Sequence, residues 1–155
     1  MRKINSLDTL PVIKNALLDI ANTLNSRNIT WGLGGSLLLF IKGYKTNVND
    51  IDIIVHSKDL KDLKEVISKY EINEKEKTAK FLTNHFYTFN IKSINIDIMV
   101  GFVVKNEFNI FAFREKEIST SKICIDGENI YLSSVSEWKK AYTAMNRIDK
   151  ISLLN

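Results

Sequence analysis

The feature that most constrains this chain is an alternating run at residues 50–56, which reads DIDIIVH. Successive side chains of a β-strand point to opposite faces, so Asp50 and Asp52 share one face while Ile51 and Ile53 share the other. The two carboxylates would lie roughly 7 Å apart and would repel each other unless a cation or a proton lay between them. Oxygen ligands without a neighbouring His or Cys pair favour Mg²⁺ or Mn²⁺. The run therefore predicts a strand with a metal site on its polar face.

A second alternating run, INIDIMV at residues 94–100, places Asp97 between two isoleucines. If this strand pairs beside the first, Asp97 completes a cluster of three carboxylates, because neighbours in a sheet need not be neighbours in sequence. Each aspartate alone has an ordinary interpretation: Asp50 as a turn residue, Asp52 as an edge-strand charge and Asp97 as a solvent-facing residue. The three together, downstream of a glycine-rich turn, favour the metal site.

That turn is Gly34-Gly35-Ser36, which follows an apolar stretch at 29–33 and precedes a predicted buried helix at 36–42. Glycines in a strand-to-helix turn allow the backbone to approach a ligand closely. The free N–H groups of the helix N-terminus and the Ser36 hydroxyl can donate to a phosphate. The alternative is simple helix capping, with Ser36 as the N-cap residue.

Lys42 and Lys45 flank the loop after this helix. They could face a triphosphate, but ordinary solvated lysines are the favoured interpretation.

The order of elements predicts an α/β (α+β) fold, a mixed β-sheet with helices packed mainly on one side. Strands at 80–91 and 94–100 would form a hairpin through Lys92-Ser93, and Asp126-Gly127 marks a second hairpin within 121–132. Further predictions are a helix at 7–26, an amphipathic helix beginning near Leu60, a loop with a short helix at 102–113, and a C-terminal helical segment at 134–155.

Composition narrows the class of protein. With 155 residues, 45% of them hydrophobic and only one proline, the chain is predicted to form a single domain, 1–155, without a disordered linker. Cys124 is the single cysteine, which excludes an intramolecular disulfide and a cysteine-rich metal site, and the histidines lack metal-ligand spacing, which disfavours zinc. The sequence has neither a signal-peptide pattern nor a membrane-spanning run, so we expect a cytoplasmic protein with no membrane partner.

The combination of Gly34-Gly35-Ser36, Asp50-x-Asp52 and a lone Asp97 resembles the signature of the DNA polymerase β-type nucleotidyltransferase superfamily. The resemblance is to its small bacterial members, such as the antibiotic nucleotidyltransferases and the AbiEii-like toxins. The motif core covers residues 31–100. A weaker likeness lies in the C-terminal segment, where Arg147-Ile148-Asp149-Lys150 is similar to an Arg-x-Lys-Asp run with acid and base exchanged, so no role is assigned to Asp149 or Lys150.

The resemblance implies an enzyme that moves an NMP group from an NTP to an acceptor hydroxyl and releases pyrophosphate. Asp50, Asp52 and Asp97 would hold Mg²⁺ or Mn²⁺, and Asp97 would also accept the proton of the attacking hydroxyl. Gly34, Gly35 and Ser36 would hold the β- and γ-phosphates. The acceptor could be a small molecule, a tRNA end or a protein, and a homodimer could build its binding site between subunits.

Three alternatives compete with this interpretation. A degenerate nucleotidyltransferase fold could bind a nucleotide or a partner without chemistry. Nucleic-acid binding would suit the net charge of +4, although the lysines are dispersed along the sequence. A Rossmann dinucleotide site is disfavoured because Leu37 occupies the third glycine position of that fingerprint.

Overall fold

The computed structural model describes residues 5–155. The α-helices are Pro11–Asn25 (α1), Gly35–Ile41 (α2), Leu60–Ile67 (α3), Val135–Ala144 (α4) and Ile148–Leu154 (α5). The strands are Trp31–Gly34 (β1), Asp50–Val55 (β2), Asn73–Glu74 (β3), His85–Ile91 (β4), Ile94–Val100 (β5), Val103–Lys105 (β6), Ile110–Ala112 (β7), Ser121–Ile125 (β8) and Glu128–Leu132 (β9). Within residues 5–155, no helix is both long and apolar enough to cross a membrane.

Seven strands form one mixed sheet in the order β3-β4-β5-β2-β1-β9-β8. The central pair β2 and β5 is parallel, as is the pair β1 and β9, and the remaining pairs are antiparallel. The hairpin through Lys92-Ser93 and the hairpin at Asp126-Gly127 both form as predicted. The predicted mixed α/β fold is therefore confirmed.

The core lies on the isoleucine face of the central strands. Ile51 and Ile53 have no exposed surface, and α1 packs over β2, β4 and β5 with α3 beside it. The helix α1 begins at Pro11, a residue suited to a first turn, and buries Leu17 and Ile20 completely. Each such side chain contributes about 1.5–3 kcal/mol when fully buried. This burial fixes the register of β2, because a slip of one residue would place the aspartates in the core.

Two sequence predictions about residues 80–113 are wrong. Residues 102–113 form a β-hairpin, β6–β7, instead of a loop and short helix. The Asn106 side chain accepts hydrogen bonds from the backbone N–H groups of Phe108 and Asn109, both at 2.8 Å. This local turn, which the sequence analysis missed, closes the hairpin.

The other error concerns the strand predicted at 80–91, which begins only at His85. The residues before it keep the same antiparallel register past the end of β5, but only through separate contacts: Phe81 bridges Val104, and the Leu82 N–H donates to the Val103 carbonyl at 3.0 Å. The Thr83 hydroxyl donates to the Val103 carbonyl and accepts from the Val103 N–H, so side-chain bonds interrupt the regular ladder before His85.

The C-terminal segment 134–155 is helical as predicted but consists of two helices. Ser134 caps α4 by accepting from the Glu137 N–H at 3.2 Å, and Asn146, with φ of 56°, separates α4 from α5. This break allows α5 to fold back, with Lys150 buried against Ser36 and Thr46.

Glu137 fastens α4 to the end of the β6–β7 hairpin. Its carboxylate is fully buried and accepts hydrogen bonds from the Arg114 backbone N–H and guanidinium at 3.0–3.1 Å and from the Lys140 ammonium at 3.1 Å. Burial opposes its ionisation, but these bonds, from Arg114 first and Lys140 second, outweigh it and hold the pKa of Glu137 below its usual value. The carboxylate is therefore charged at neutral pH.

Replacing Glu137 by Gln should lower the free energy of unfolding by about 1–3 kcal/mol at pH 7, because the Arg114 guanidinium and the Lys140 ammonium lose a charged acceptor. Since folding lowers the pKa of Glu137, its contribution is complete above the ordinary value of 4.5 and is lost as the pH falls through the folded-state pKa. Urea unfolding at several pH values measures both effects. Glu117→Gln is the matched control, since Glu117 lies 3.5 Å from the same arginine at the surface and should change stability by less than about 1 kcal/mol.

Candidate active site

The three predicted aspartates converge. Strands β2 and β5 pair in parallel with Asp52 directly opposite Asp97, and Asp50 lies two residues earlier on the same face. Each side chain offers a carboxylate oxygen, and these three oxygens all lie within 4.8 Å of one another. All three residues are half-buried, and no other group of acidic, His or Cys residues in 5–155 meets the same geometry. The arrangement is an acidic cluster that could hold a divalent ion.

The cluster carries more negative charge than its surroundings neutralise. Burial, followed by the charges of Asp50 and Asp97, raises the pKa of Asp52 well above its usual value, and Lys150 opposes this shift only in part. Burial and the charge of Asp97 also raise the pKa of Asp50. Carboxylates under such mutual repulsion are stabilised by any cation that binds among them.

A hydrogen-bond chain from the neighbouring strand orients Asp97. The Thr88 hydroxyl donates to the Asn95 side-chain oxygen at 2.8 Å, and the Asn95 amide donates to an Asp97 oxygen at 2.9 Å. Thr88 lies opposite Asp97 across β4 and β5. The chain leaves the second Asp97 oxygen available to a ligand, and sequence reasoning missed it because Thr88 and Asn95 look like ordinary strand residues.

The Gly34-Gly35-Ser36 turn lies beside the acidic cluster, with Gly34 opposite Asp52 across β1 and β2. A Cβ atom on Gly34 would overlap the Trp138 indole, and one on Gly35 would overlap the Asp52 carboxylate. Gly35 also has φ of 60°, a left-handed value that favours glycine. The glycines therefore let the turn pack against Asp52 and Trp138.

Ser36 is not the helix cap that the alternative interpretation proposed. Gly34 occupies the N-cap position of α2 without a side-chain hydrogen bond. The Ser36 hydroxyl instead accepts a hydrogen bond from the Lys150 ammonium at 2.7 Å. The serine is thus tied to a residue 114 positions later in the chain.

Lys150 is the site residue to which the sequence analysis assigned no role. Its ammonium also donates to the Thr46 hydroxyl at 2.7 Å, and only 7% of the residue surface is exposed. Burial and the charge of Arg147 lower its pKa. The only sequence signal was its place in the Arg147–Lys150 run, whose order differs from the family pattern. The structure shows that the ammonium reaches the cavity regardless of that order.

These elements surround one cavity of about 680 Å³. Its polar side contains the acidic cluster, Ser36 and Lys150, with an Arg147–Asp149 ion pair at 3.1 Å beside them. Its apolar and aromatic lining consists of Phe81, Phe86, Met99, Phe102, Trp138, Tyr142 and Met145, with Lys75 and Glu76 also at its wall.

Several other candidate residues lie outside this cavity. Neither Lys42 nor Lys45 lines it, in agreement with the interpretation as surface lysines. His56 pairs with Glu115 instead of with the aspartates, and Cys124 is an exposed thiol. Lys140 also lies outside the cavity and binds Glu137.

No family model and no curated protein sequence matches the chain, but solved structures do match its three-dimensional fold. A candidate nucleotidyltransferase from Thermotoga maritima superposes with a TM-score of 0.70 at 22% identity, over 99% of this chain and 93% of the other. The chain has the nucleotidyltransferase fold.

Two further solved structures share this fold at lower similarity. The lincosamide antibiotic adenylyltransferase LnuA, solved with lincomycin bound, gives a TM-score of 0.53 at 16% identity, over 84% of this chain and 83% of its own. ANT(2")-Ia, solved in complex with adenylyl-2"-tobramycin, gives 0.50 at 12% identity, over 91% and 80%. The predicted likeness to DNA polymerase β-type nucleotidyltransferases is thereby confirmed at the level of fold.

Replacing Asp52 by Asn should raise the melting temperature of the metal-free protein by roughly 2–4 °C, the shift that about 1 kcal/mol produces in a domain of this size. The raised pKa of Asp52 means that the wild type loses stability as the pH rises above 3.8 and through the folded-state pKa. The variant should lack this component. Calorimetry in EDTA across pH 4–8 measures the difference.

Asp62→Asn is the control, because this surface carboxylate pairs with Arg27 and has no acidic cluster to relieve. A decrease in stability for both variants would contradict the repulsion within the cluster.

Proposed function

We propose that the protein is a metal-dependent nucleotidyltransferase that moves an NMP group from an NTP to an acceptor hydroxyl and releases pyrophosphate. One observation carries this proposal: three carboxylate oxygens lie within 4.8 Å of one another in a cavity that is also lined by Ser36 of the strand-to-helix turn and by a buried lysine. The nucleotidyltransferase fold supports the same reaction class.

The donor set fits Mg²⁺ or Mn²⁺. Asp50, Asp52 and Asp97 offer only oxygen ligands, and their unbalanced charge is what a divalent ion would neutralise. When bound, such ions lower the pKa of an attacking hydroxyl and neutralise charge on the departing pyrophosphate. Asp97 is the proton acceptor in this proposal, and the Asn95 amide holds it in orientation.

The part of the polar side around Ser36 and Lys150 would bind the triphosphate. Ser36 and Lys150 both line it and supply a neutral hydroxyl donor and a positive charge, and in this proposal the backbone N–H groups of the Gly34–Ser36 turn add further donors. The Lys150 ammonium donates to two hydroxyls. It can therefore exchange one of these hydrogen bonds for a charge-assisted bond to a phosphate oxygen while it keeps the other. We assign the Gly34, Gly35 and Ser36 turn to the β- and γ-phosphates, which leaves the α-phosphorus near the acidic cluster.

Label transfer from an α-³²P-labelled NTP to molecules of a cell extract should require Mg²⁺ or Mn²⁺ and should fall by several powers of ten in Asp52→Asn. The reason is that a lost shared ligand disturbs the bound ions and with them the activation of the hydroxyl. Asp62→Asn should retain full activity. An extract labelled equally by wild type and Asp52→Asn would favour the non-catalytic, nucleotide- or partner-binding alternative.

Lys150→Met should weaken binding of a non-hydrolysable NTP analogue by about ten- to a hundred-fold, because a charge-assisted hydrogen bond to phosphate is lost. Titration calorimetry with the analogue and Mg²⁺ measures this. Lys45→Met is the matched control: Lys45 adjoins Thr46 in the same loop but lies outside the cavity, so affinity should stay at the wild-type value. Equal losses in both variants would show that only general positive charge matters.

A further inference from the structure

Three phenylalanines and three lysines form a continuous surface that leaves the cavity, which we call the aromatic–lysine track. The Lys75 ammonium lies 4.7 Å from the centre of the Phe86 ring, and the Lys80 ammonium lies 5.7 Å from that of Phe81. The track continues to Phe108 and Lys105, which line an adjoining cavity together with Lys80. Phe108 is 87% exposed, the most exposed large apolar side chain of residues 5–155.

The track is continuous because two structural links join its parts. The Lys105 N–H donates to the Lys80 carbonyl at 2.7 Å, which holds the two lysine positions side by side. The Lys80 ammonium donates to the Met145 carbonyl at 3.0 Å, and Met145 also lines the active cavity. The surface therefore runs from the active cavity to the tip of the β6–β7 hairpin.

The track begins on the acceptor side of the site. Phe86 lies opposite Met99, and two residues further along the same strands Thr88 lies opposite Asp97, so Phe86 and Asp97 share one face of the sheet. The glycine turn lies on the other side of the cluster, beyond β2 on β1. A molecule on the track would reach Asp97 without occupying the place proposed for the triphosphate.

We propose that the acceptor is the 3′ end of a single-stranded polynucleotide bound along this track. Bases would stack on the phenylalanine rings while phosphates pair with the lysines, the combination that binds single strands with little sequence preference. A base that stacks on Phe86 takes the place of Lys75, whose ammonium then pairs with the neighbouring phosphate. Glu76 and Glu107 lie along the same surface and limit its positive charge.

This inference rests on the proposed nucleotidyl transfer and specifies its acceptor. The terminal hydroxyl oxygen forms a bond to the α-phosphorus of the NTP, the bond from that phosphorus to the pyrophosphate oxygen breaks, and Asp97 takes the hydroxyl proton. A small-molecule acceptor would need only the cavity. The exposed Phe108 and Lys105 beyond it are accounted for by a longer, anionic acceptor.

Fluorescence anisotropy with a labelled RNA of about 12 nucleotides and mixed sequence tests the binding step without any NTP. Wild type should bind with an affinity that falls as salt rises. Phe108→Ser should weaken binding about tenfold through loss of stacking. Lys105→Gln should reduce the slope of log affinity against log salt concentration by about the amount expected for one phosphate contact. Lys122→Gln, an exposed lysine at the far edge of the sheet on β8, is the charge-matched control and should bind as wild type does.

Transfer from labelled NTP to the same RNA, to a DNA of equal sequence and to a 3′-deoxy RNA tests the chemical step. Labelling of RNA, with or without DNA, supports the proposal if the 3′-deoxy end is inert and Phe108→Ser reduces the labelling. If neither polynucleotide is labelled while a protein or small molecule from an extract is, the polynucleotide acceptor is wrong and the transferase function stands. If no molecule is labelled in any arm, the transferase function itself is wrong.

Equal RNA affinity in wild type, Phe108→Ser and Lys105→Gln would also contradict the proposal that RNA binds along the track. Because both side chains are at the surface, these substitutions should leave the melting temperature within about 1–2 °C of wild type, and the affinities can then be compared directly.

Discussion

Mutual repulsion among Asp50, Asp52 and Asp97 is the constraint on which the rest of this structure depends. Three carboxylates within 4.8 Å oppose folding, and the raised pKa of Asp52 expresses that opposition. The arrangement persists because the opposite face of the same strands is completely buried: Ile51 and Ile53 cannot leave the core, so the aspartates cannot leave the cavity. Hydrophobic burial on one face thus maintains charge concentration on the other.

Parts of the chain that are distant in sequence complete this cluster. The glycine turn approaches Asp52 because it has no Cβ there, and α5 folds back so that Lys150 reaches Ser36 and Thr46. Glu137 holds α4 against the β6–β7 hairpin, which places Trp138 against Gly34. The cavity is therefore assembled from the sheet, the turn and the C-terminal helices together.

The sequence was most informative where a pattern over a few neighbouring residues determines the local structure. Strict alternation identified the faces of β2 and β5, and the two-residue turn signals identified both predicted hairpins. It was least informative for residues 102–113, where an Asn106 side chain closes a hairpin between very short strands. It also assigned no role to Lys150, because the order of charges within Arg147–Lys150 says little about which side chain a folded-back helix directs inward.

The sequence by itself determined the three aspartates, the glycine turn and the mixed sheet, because period-two alternation and glycine chemistry act over a few residues. Only the tertiary structure decided that Asp52 faces Asp97, that Lys150 joins them, and that Lys75, Lys80 and Lys105 form one surface with Phe81, Phe86 and Phe108. The lysines looked dispersed because they are separated along the chain. Strand pairing brings them together, and pairing between distant strands depends on the burial of the whole core, which no local pattern specifies.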